Sequence, residues 1–167
     1  MTSYTAIHVK GLTNAIMFRD FEEFEECRKV EHKEQYTFYI ETDDEILESL
    51  FVSLCIDTEQ KINEWFSQDI ENADDRTLIG FLILSLDFHY TINMLVDASL
   101  DELDLFKGNA LEYCKQYMQD ATPINDVPDL MIKYFDYARF TNDMLKGGDI
   151  AEFNSPDGYT YTYNCNF

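Results

Sequence analysis

The sequence predicts an α+β fold in three small subdomains: an α+β N-terminal part (1–56), an acidic helical middle (57–106) and an α+β C-terminal part ending in a hairpin (107–167). Three observations predict it. Short runs that alternate apolar and polar residues mark strands toward both ends, whereas the middle repeats apolar residues every three or four positions, the period of a helix. The turn signals Gly147-Gly148 and Ser155-Pro156-Asp157-Gly158 punctuate the C-terminal part. Charge is also uneven: residues 1–40 carry a net −2, residues 41–106 a net −15 and residues 107–167 a net −4.

Taken in order, Ala6 to Lys10 and Asn14 to Phe18 read as short strands around Gly11. Asp20, with Glu23 three residues on, has the spacing of a helix cap and opens a short helix through Phe21, Phe24 and Arg28. Tyr36 to Glu41 alternates and returns as a strand. Ile46, Leu47, Leu50, Phe51 and Leu54 then recur at helical spacing behind Asp43-Asp44, acids that suit a helix N-terminus. A second helix is expected from Asp57, burying Ile62, Trp65, Phe66 and Ile70. Glu64 and Glu71 would face outward on it, about 10 Å apart at 1.5 Å per residue. The run Leu78 to Leu84 is apolar throughout, so periodicity does not separate helix from strand; its helical neighbours favour helix.

In the C-terminal part Asn109 is placed to cap a helix with Leu111, Cys114 and Met118 inward, ending before Thr122-Pro123. Pro128 suits a first helical position, and the helical pattern runs from there to Leu145. Asp149 to Phe153 and Tyr159 to Tyr163 form the closing hairpin, with Tyr159, Tyr161 and Tyr163 on one face.

With 33 acids against 12 bases the chain carries −21 at pH 7, yet 46% of its residues are hydrophobic and 15% aromatic. That is too apolar for a disordered acidic tail. Binding nucleic acid or an anionic membrane requires a cationic surface, so both are excluded and a basic partner is implied. Met1 to Lys10 lacks a charged segment ahead of an apolar run, so no signal peptide is expected, and the longest apolar stretch, Leu78 to Leu86, is too short for a bilayer. Cys27, Cys55, Cys114 and Cys165 form no CxxC and suit a reducing cytoplasm. His8, His32 and His89 have no metal-ligand spacing; His89 reads as a packed or interfacial residue. No calcium loop, HExxH, P-loop or GxSxG is present, so neither a cofactor nor a catalytic residue is expected. Pairs such as Asp43-Asp44 and Asp74-Asp75 read as solvated helix caps before anything catalytic.

The charge itself remains as the informative feature. Duplex DNA carries one charge per about 1.7 Å, so 21 charges correspond to about 36 Å of duplex, and a two-fold dimer to twice that. The acids that would present this charge are Asp43, Asp44, Glu45, Glu48, Asp57, Glu59, Glu64, Asp69, Glu71, Asp74, Asp75, Asp87, Asp97, Asp101, Glu102 and Asp104.

The C-terminal third adds a resemblance. Asn109-Ala110-Leu111-Glu112-Tyr113-Cys114-Lys115-Gln116-Tyr117-Met118, then Val127-Pro128-Asp129-Leu130, then Tyr134 through Met144 resemble the ArdA antirestriction family in order and spacing. That family shows a helix ending in Tyr-Val-Glu-Glu, a loop with Pro, and Tyr-x-Asp-Tyr-x-x-Tyr/Phe-Gly-Arg-Asp-Leu. The signature maps onto Phe135, Asp136, Tyr137, Phe140 and Asp143, with Thr141-Asn142 where the family has Gly-Arg. The resemblance covers residues 109–153; residues 57–106 fit the family's helical middle in pattern and the first 56 residues loosely. It implies an elongated, acidic, three-part homodimer that imitates DNA and occupies the DNA groove of type I restriction–modification enzymes. It further implies a non-catalytic protein of a mobile element or phage, working in the host bacterial cytoplasm. An acidic protein that sequesters a nucleoid protein, repressor or CRISPR effector, and a small carboxylate enzyme, are the alternatives.

Overall fold

The computed structural model describes residues 5–10, 16–18, 21–30, 37–68, 70–98, 100, 102–121 and 134–166. Helix and strand are mixed, as an α+β fold requires, with two three-stranded antiparallel sheets. The chain divides into two compact units, Met1–Leu100 and Asp101–Phe167.

In the first unit β1 (Thr5–Lys10) is the central strand between β2 (Ile16–Phe18) and β3 (Thr37–Thr42). Ile7 lies opposite Phe18 on one side and Ile40 on the other. The strands therefore fall where the alternation places them, β1 starting one residue earlier at Thr5 and β3 running on to Thr42; Asn14, Asp20 and Tyr36 lie outside the described residues. Along β3, Phe38 and Ile40 are buried while Tyr39 and Glu41 face out, the period of two that a half-buried sheet imposes. Helix α1 (Phe21–Val30) buries Phe24 edge-on against Phe38, with ring centroids 5.4 Å apart.

Helix α2 (Glu45–Ser53) packs on β3 and α4. It starts where Asp44 accepts the N–H groups of Ile46 and Leu47 at 2.9 and 3.0 Å, and its stripe Ile46, Leu47, Leu50, Phe51 is buried. Helix α3 (Glu59–Ser67) begins two residues later than expected. The Thr58 hydroxyl takes the capping position, accepting the Lys61 N–H at 3.2 Å, and Asp57 pairs with the Lys61 ammonium instead. Trp65 is fully buried, edge-on to Phe51 at 5.1 Å; Phe66 is only half-buried.

The expected continuation of α3 to residue 71 does not occur. Ile70 is buried, but from a separate 3-10 turn, Ile70–Asn72, closed by Ala73 N–H on Ile70 O at 3.1 Å. Glu64 and Glu71 therefore do not share one helix, and the seven-residue rise does not describe their separation. Helix α4 (Asp75–Asp87) confirms the helical reading of the apolar run. It is buried continuously from Leu78 to Ser85, which is why its sequence shows no period. Helix α5 (Ile92–Asp97) closes the unit against α3 and α4 through Ile92 and Leu95. His89, expected to be packed or interfacial, is exposed rather than packed; it follows the C-cap of α4 with φ 59°, a left-handed conformation that ends the helix.

The second unit orders its strands β4 (Leu105–Lys107), β6 (Thr160–Asn164), β5 (Ile150–Asn154), the last two forming the expected hairpin. β4 was not anticipated, and it runs through residue 106 to pair Leu105 with Tyr163. Gly158 (φ 82°) closes the hairpin turn in the left-handed conformation that glycine adopts without strain. Tyr161 and Tyr163 are buried, but Tyr159 precedes the strand and is exposed, with the Lys107 ammonium 3.3 Å from its ring centroid.

Helix α6 (Ala110–Ala121) carries a reciprocal cap: Glu112 N–H donates to Asn109 Oδ1 at 3.0 Å, and Asn109 N–H to Glu112 Oε2 at 3.2 Å. Its buried face is Ala110, Tyr113 and Cys114, packed with Ile150; Leu111 is exposed and Met118 half-buried, because the positions of β5 and the next helix decide which face is inward. That helix, α7 (Tyr137–Gly147), is a new one rather than a continuation from Pro128, which lies outside the described residues. Tyr134 to Asp136 are non-helical, and Asp136 caps α7 by accepting the Arg139 N–H at 3.0 Å. Cys55, Cys114 and Cys165 are free thiols, and among the described residues no helix is long and apolar enough to cross a membrane.

Candidate functional site

The acids singled out above are an outward display rather than a converging site. Asp43, Glu45, Glu48, Asp57, Asp74, Asp75, Asp87, Asp97, Glu102 and Asp104 are exposed, and Asp44, Glu59 and Glu64 are half-buried. Asp69 and Asp101 lie outside the described residues, as does the side chain of Glu71. The reason is local: α2 and α3 turn an apolar stripe to the core and leave acids on the other side, whereas α4, buried from Leu78 to Ser85, carries its acids Asp75 and Asp87 at its two ends.

Several of these carboxylates already have structural work. Asp44 caps α2, and Asp74 caps α4 through the Thr77 N–H at 2.8 Å. The Thr77 N–H and hydroxyl hold the Asp74 carboxyl below the ordinary range. Asp57 is likewise held low, by the hydrogen bond from the Lys61 ammonium at 2.9 Å. Asp104 accepts the Tyr113 hydroxyl at 2.7 Å. Burial, followed by that bond and the Asp104 charge, pushes the Tyr113 phenol well above its ordinary value.

The signature residues lie around the start of α7. Phe135 packs edge-on against Tyr137 and Phe140, with centroids 4.9 and 5.5 Å apart; Asp136 is the cap, and Asp143 lies 4.0 Å from the Arg139 guanidinium between two exposed side chains. Phe140 also packs on the Ala110–Tyr113–Cys114–Ile150 cluster, so the signature builds the second unit's helical layer.

Sequence reading missed two carboxylates with tertiary roles. Glu152 Oε1 accepts the Ala110 N–H at 2.6 Å, tying β5 to the N-terminus of α6. Partial burial raises the Asp157 carboxyl, but the Tyr159 N–H, the Tyr161 hydroxyl at 3.0 Å and the Lys107 charge outweigh it and hold the group low. For Glu152 no local signal exists, because its partner is 42 positions away.

Chemically the display can attract cations over a broad surface. Among the described residues no three His, Cys, Asp or Glu side chains are grouped to hold a metal ion. No protein-family model matches the chain, and no curated protein matches it either.

Proposed function

We propose that the protein is an antirestriction inhibitor that presents its carboxylates as a substitute for DNA phosphates and occupies the DNA-binding groove of a type I restriction–modification enzyme. In this reading it acts in the host bacterial cytoplasm as an elongated homodimer, without catalysis or cofactor, and its parts 1–56, 57–106 and 107–167 are segments of one mimicking surface. The observation that carries the reading is the outward display of acids in large excess over bases. Residues 41–106 set 17 acids against Lys61 and Arg76, none of the acids with a described side chain is buried, and Lys61 is already committed to Asp57. A cationic groove built for phosphates meets the same charge, which steers association and is weakened by salt. The exposed Tyr134, Phe135 and Leu145 support contact with a second copy.

The test is restriction cleavage in vitro with graded amounts of the protein. A mimic spreads its affinity over many contacts, so Glu48→Gln or Asp75→Asn alone shifts inhibition by no more than about fivefold, the worth of one exposed pair. Neutralising Glu45, Glu48, Asp75, Asp87, Asp97 and Glu102 together abolishes inhibition while the fold survives. Loss of all inhibition from one such carboxamide, or a shifted DNA band with the protein alone, overturns the reading. Co-purification from cells with and without a type I system separates this target from another basic, nucleic-acid-binding one.

A further inference from the structure

The C-terminal ends of α2 and α4 meet at a cleft of about 590 Å³ whose wall includes Ser53, Lys61, Glu64, Ser85, His89 and Tyr90. Its polar floor is a hydroxyl pair. Ser53 Oγ and Ser85 Oγ are 2.6 Å apart, and each is also 2.9 Å from a carbonyl of its own helix, Leu50 O and Leu82 O. Two hydroxyls own two protons, and these neighbours consume both, so the pair faces the cleft with lone pairs that accept. Ser85 is 7% exposed and Ser53 half-buried, so the Ser85 acceptor is largely withdrawn from bulk water.

Of the charges around it, Lys61 is the one cation among the described lining residues, and the rest have the same sense as the floor. Both helices bring their partly negative carboxyl ends to the cleft, and neither has a basic residue in its last turn. Each helix is ended there by a non-glycine residue in the left-handed conformation, Cys55 (φ 50°) and His89 (φ 59°). Glu64 receives Gln60 Nε2 on one oxygen at 2.8 Å, and its second oxygen has no partner among the described residues. The ammonium of Lys61 is spent on Cys55 O at 2.8 Å and Asp57 Oδ1 at 2.9 Å. A cavity with surplus acceptors, a half-buried carboxylate and a tyrosine ring suits a cation rich in N–H donors. Its volume, in the range of small-molecule sites, suits an organic cation rather than a bare metal ion, and the described residues group no metal ligands.

We propose that this cleft binds a small primary ammonium or guanidinium cation, whose N–H groups donate to Ser53, Ser85 and Glu64 and whose alkyl chain lies along Tyr90. The cation is either a free alkylamine or the side chain of a lysine or arginine. The proposal does not depend on groove mimicry; a protein with any acidic function could hold it.

The full-length protein is titrated with diaminobutane, ethylguanidinium and a doubly blocked lysine, with butanediol as the uncharged control, at about 0.15 M salt to screen the outer carboxylates. Backbone amide shifts and calorimetry are the readouts. The expected result is saturable binding of the cations but not of the diol, with shifts centred on Ser53, Ser85 and Tyr90. Ser85→Ala and Glu64→Gln each weaken it about tenfold or more, as loss of a partner to a charged donor does, while the surface change Glu48→Gln leaves it unchanged. Thermal melts confirm that each variant is folded, and Ser53→Ala stands in for Ser85→Ala if that variant is not. Tighter binding of the blocked lysine assigns the cleft to a protein side chain, and tighter binding of diaminobutane to a free amine. Undetectable binding of all three cations, or binding that Glu48→Gln weakens as much as Glu64→Gln, overturns the proposal and leaves only diffuse attraction to an acidic surface.

Discussion

The two units hold their carboxylates differently. In the first, the acids act over one helical turn: Asp44 and Asp74 accept N–H groups up to three residues on, and Asp57 meets Lys61 four residues on. Behind them lies a large aliphatic and aromatic core, with Leu50, Ile62, Trp65, Ile83 and Leu95 all at 0% exposure. The second unit also has local acids, such as the Asp136 cap and Asp157, which meets Tyr161 four residues on, but around its cluster of Ala110, Tyr113, Cys114 and Ile150 two carboxylates join separate elements: Glu152 to the start of α6 and Asp104 to Tyr113. Where apolar burial suffices, surface acids are free to multiply. Glu152 and Asp104 instead act as fasteners between elements, and their exchange is expected to cost stability.

The largest effect that sharpens this contrast is expected from Trp65→Ala, which empties a fully buried site and should destabilise the first unit by about 3–5 kcal/mol. Denaturant melts followed by amide exchange check it, and the loss should concentrate in residues of that unit. Glu152→Ala should cost the second unit about 1–2 kcal/mol, since it strips a charged acceptor from a helix N-terminus. If Glu152→Ala proves silent in the same melts, the fastener idea fails.

Smaller effects test the local role. Asp44→Ala should cost about 1 kcal/mol as a lost helix cap. Glu48→Gln, on the same helix but capping nothing, should stay within about 0.5 kcal/mol of the parent. Equal losses for the two would erase the distinction between a capping and a displayed acid.

Alkaline pH probes the second unit through Tyr113. Folded Tyr113 holds its proton more tightly than an unfolded tyrosine does, because burial and the Asp104 carboxylate disfavour the phenolate. Its contribution is therefore complete below about pH 10 and fades as pH rises through the folded value. Stability should fall above that pH, and Tyr113→Phe should flatten the fall; an equally steep decline in the variant would show that other groups drive it.

Local physics made much of this molecule legible in its residues alone. A cap requires a short polar side chain and an N–H two or three residues away, and so Asp44, Asn109 and the Gly147-Gly148 stop declare themselves. The turn Ser155 to Gly158 and the alternation in β3 are equally short-range. The net −21 and its concentration between residues 41 and 106 are properties of composition and needed no coordinates. Tertiary structure decided the rest, because those contacts join residues whose distance along the chain carries no period. The inward face of α6 depends on where β5 and α7 pack, so Leu111 could be assigned only once they were in place. The pairing of β4 with β6, the Glu152 fastener, and the Ser53–Ser85 floor of the cleft, 32 positions apart, exist because the whole core brings them together against the entropy of closing the intervening loops.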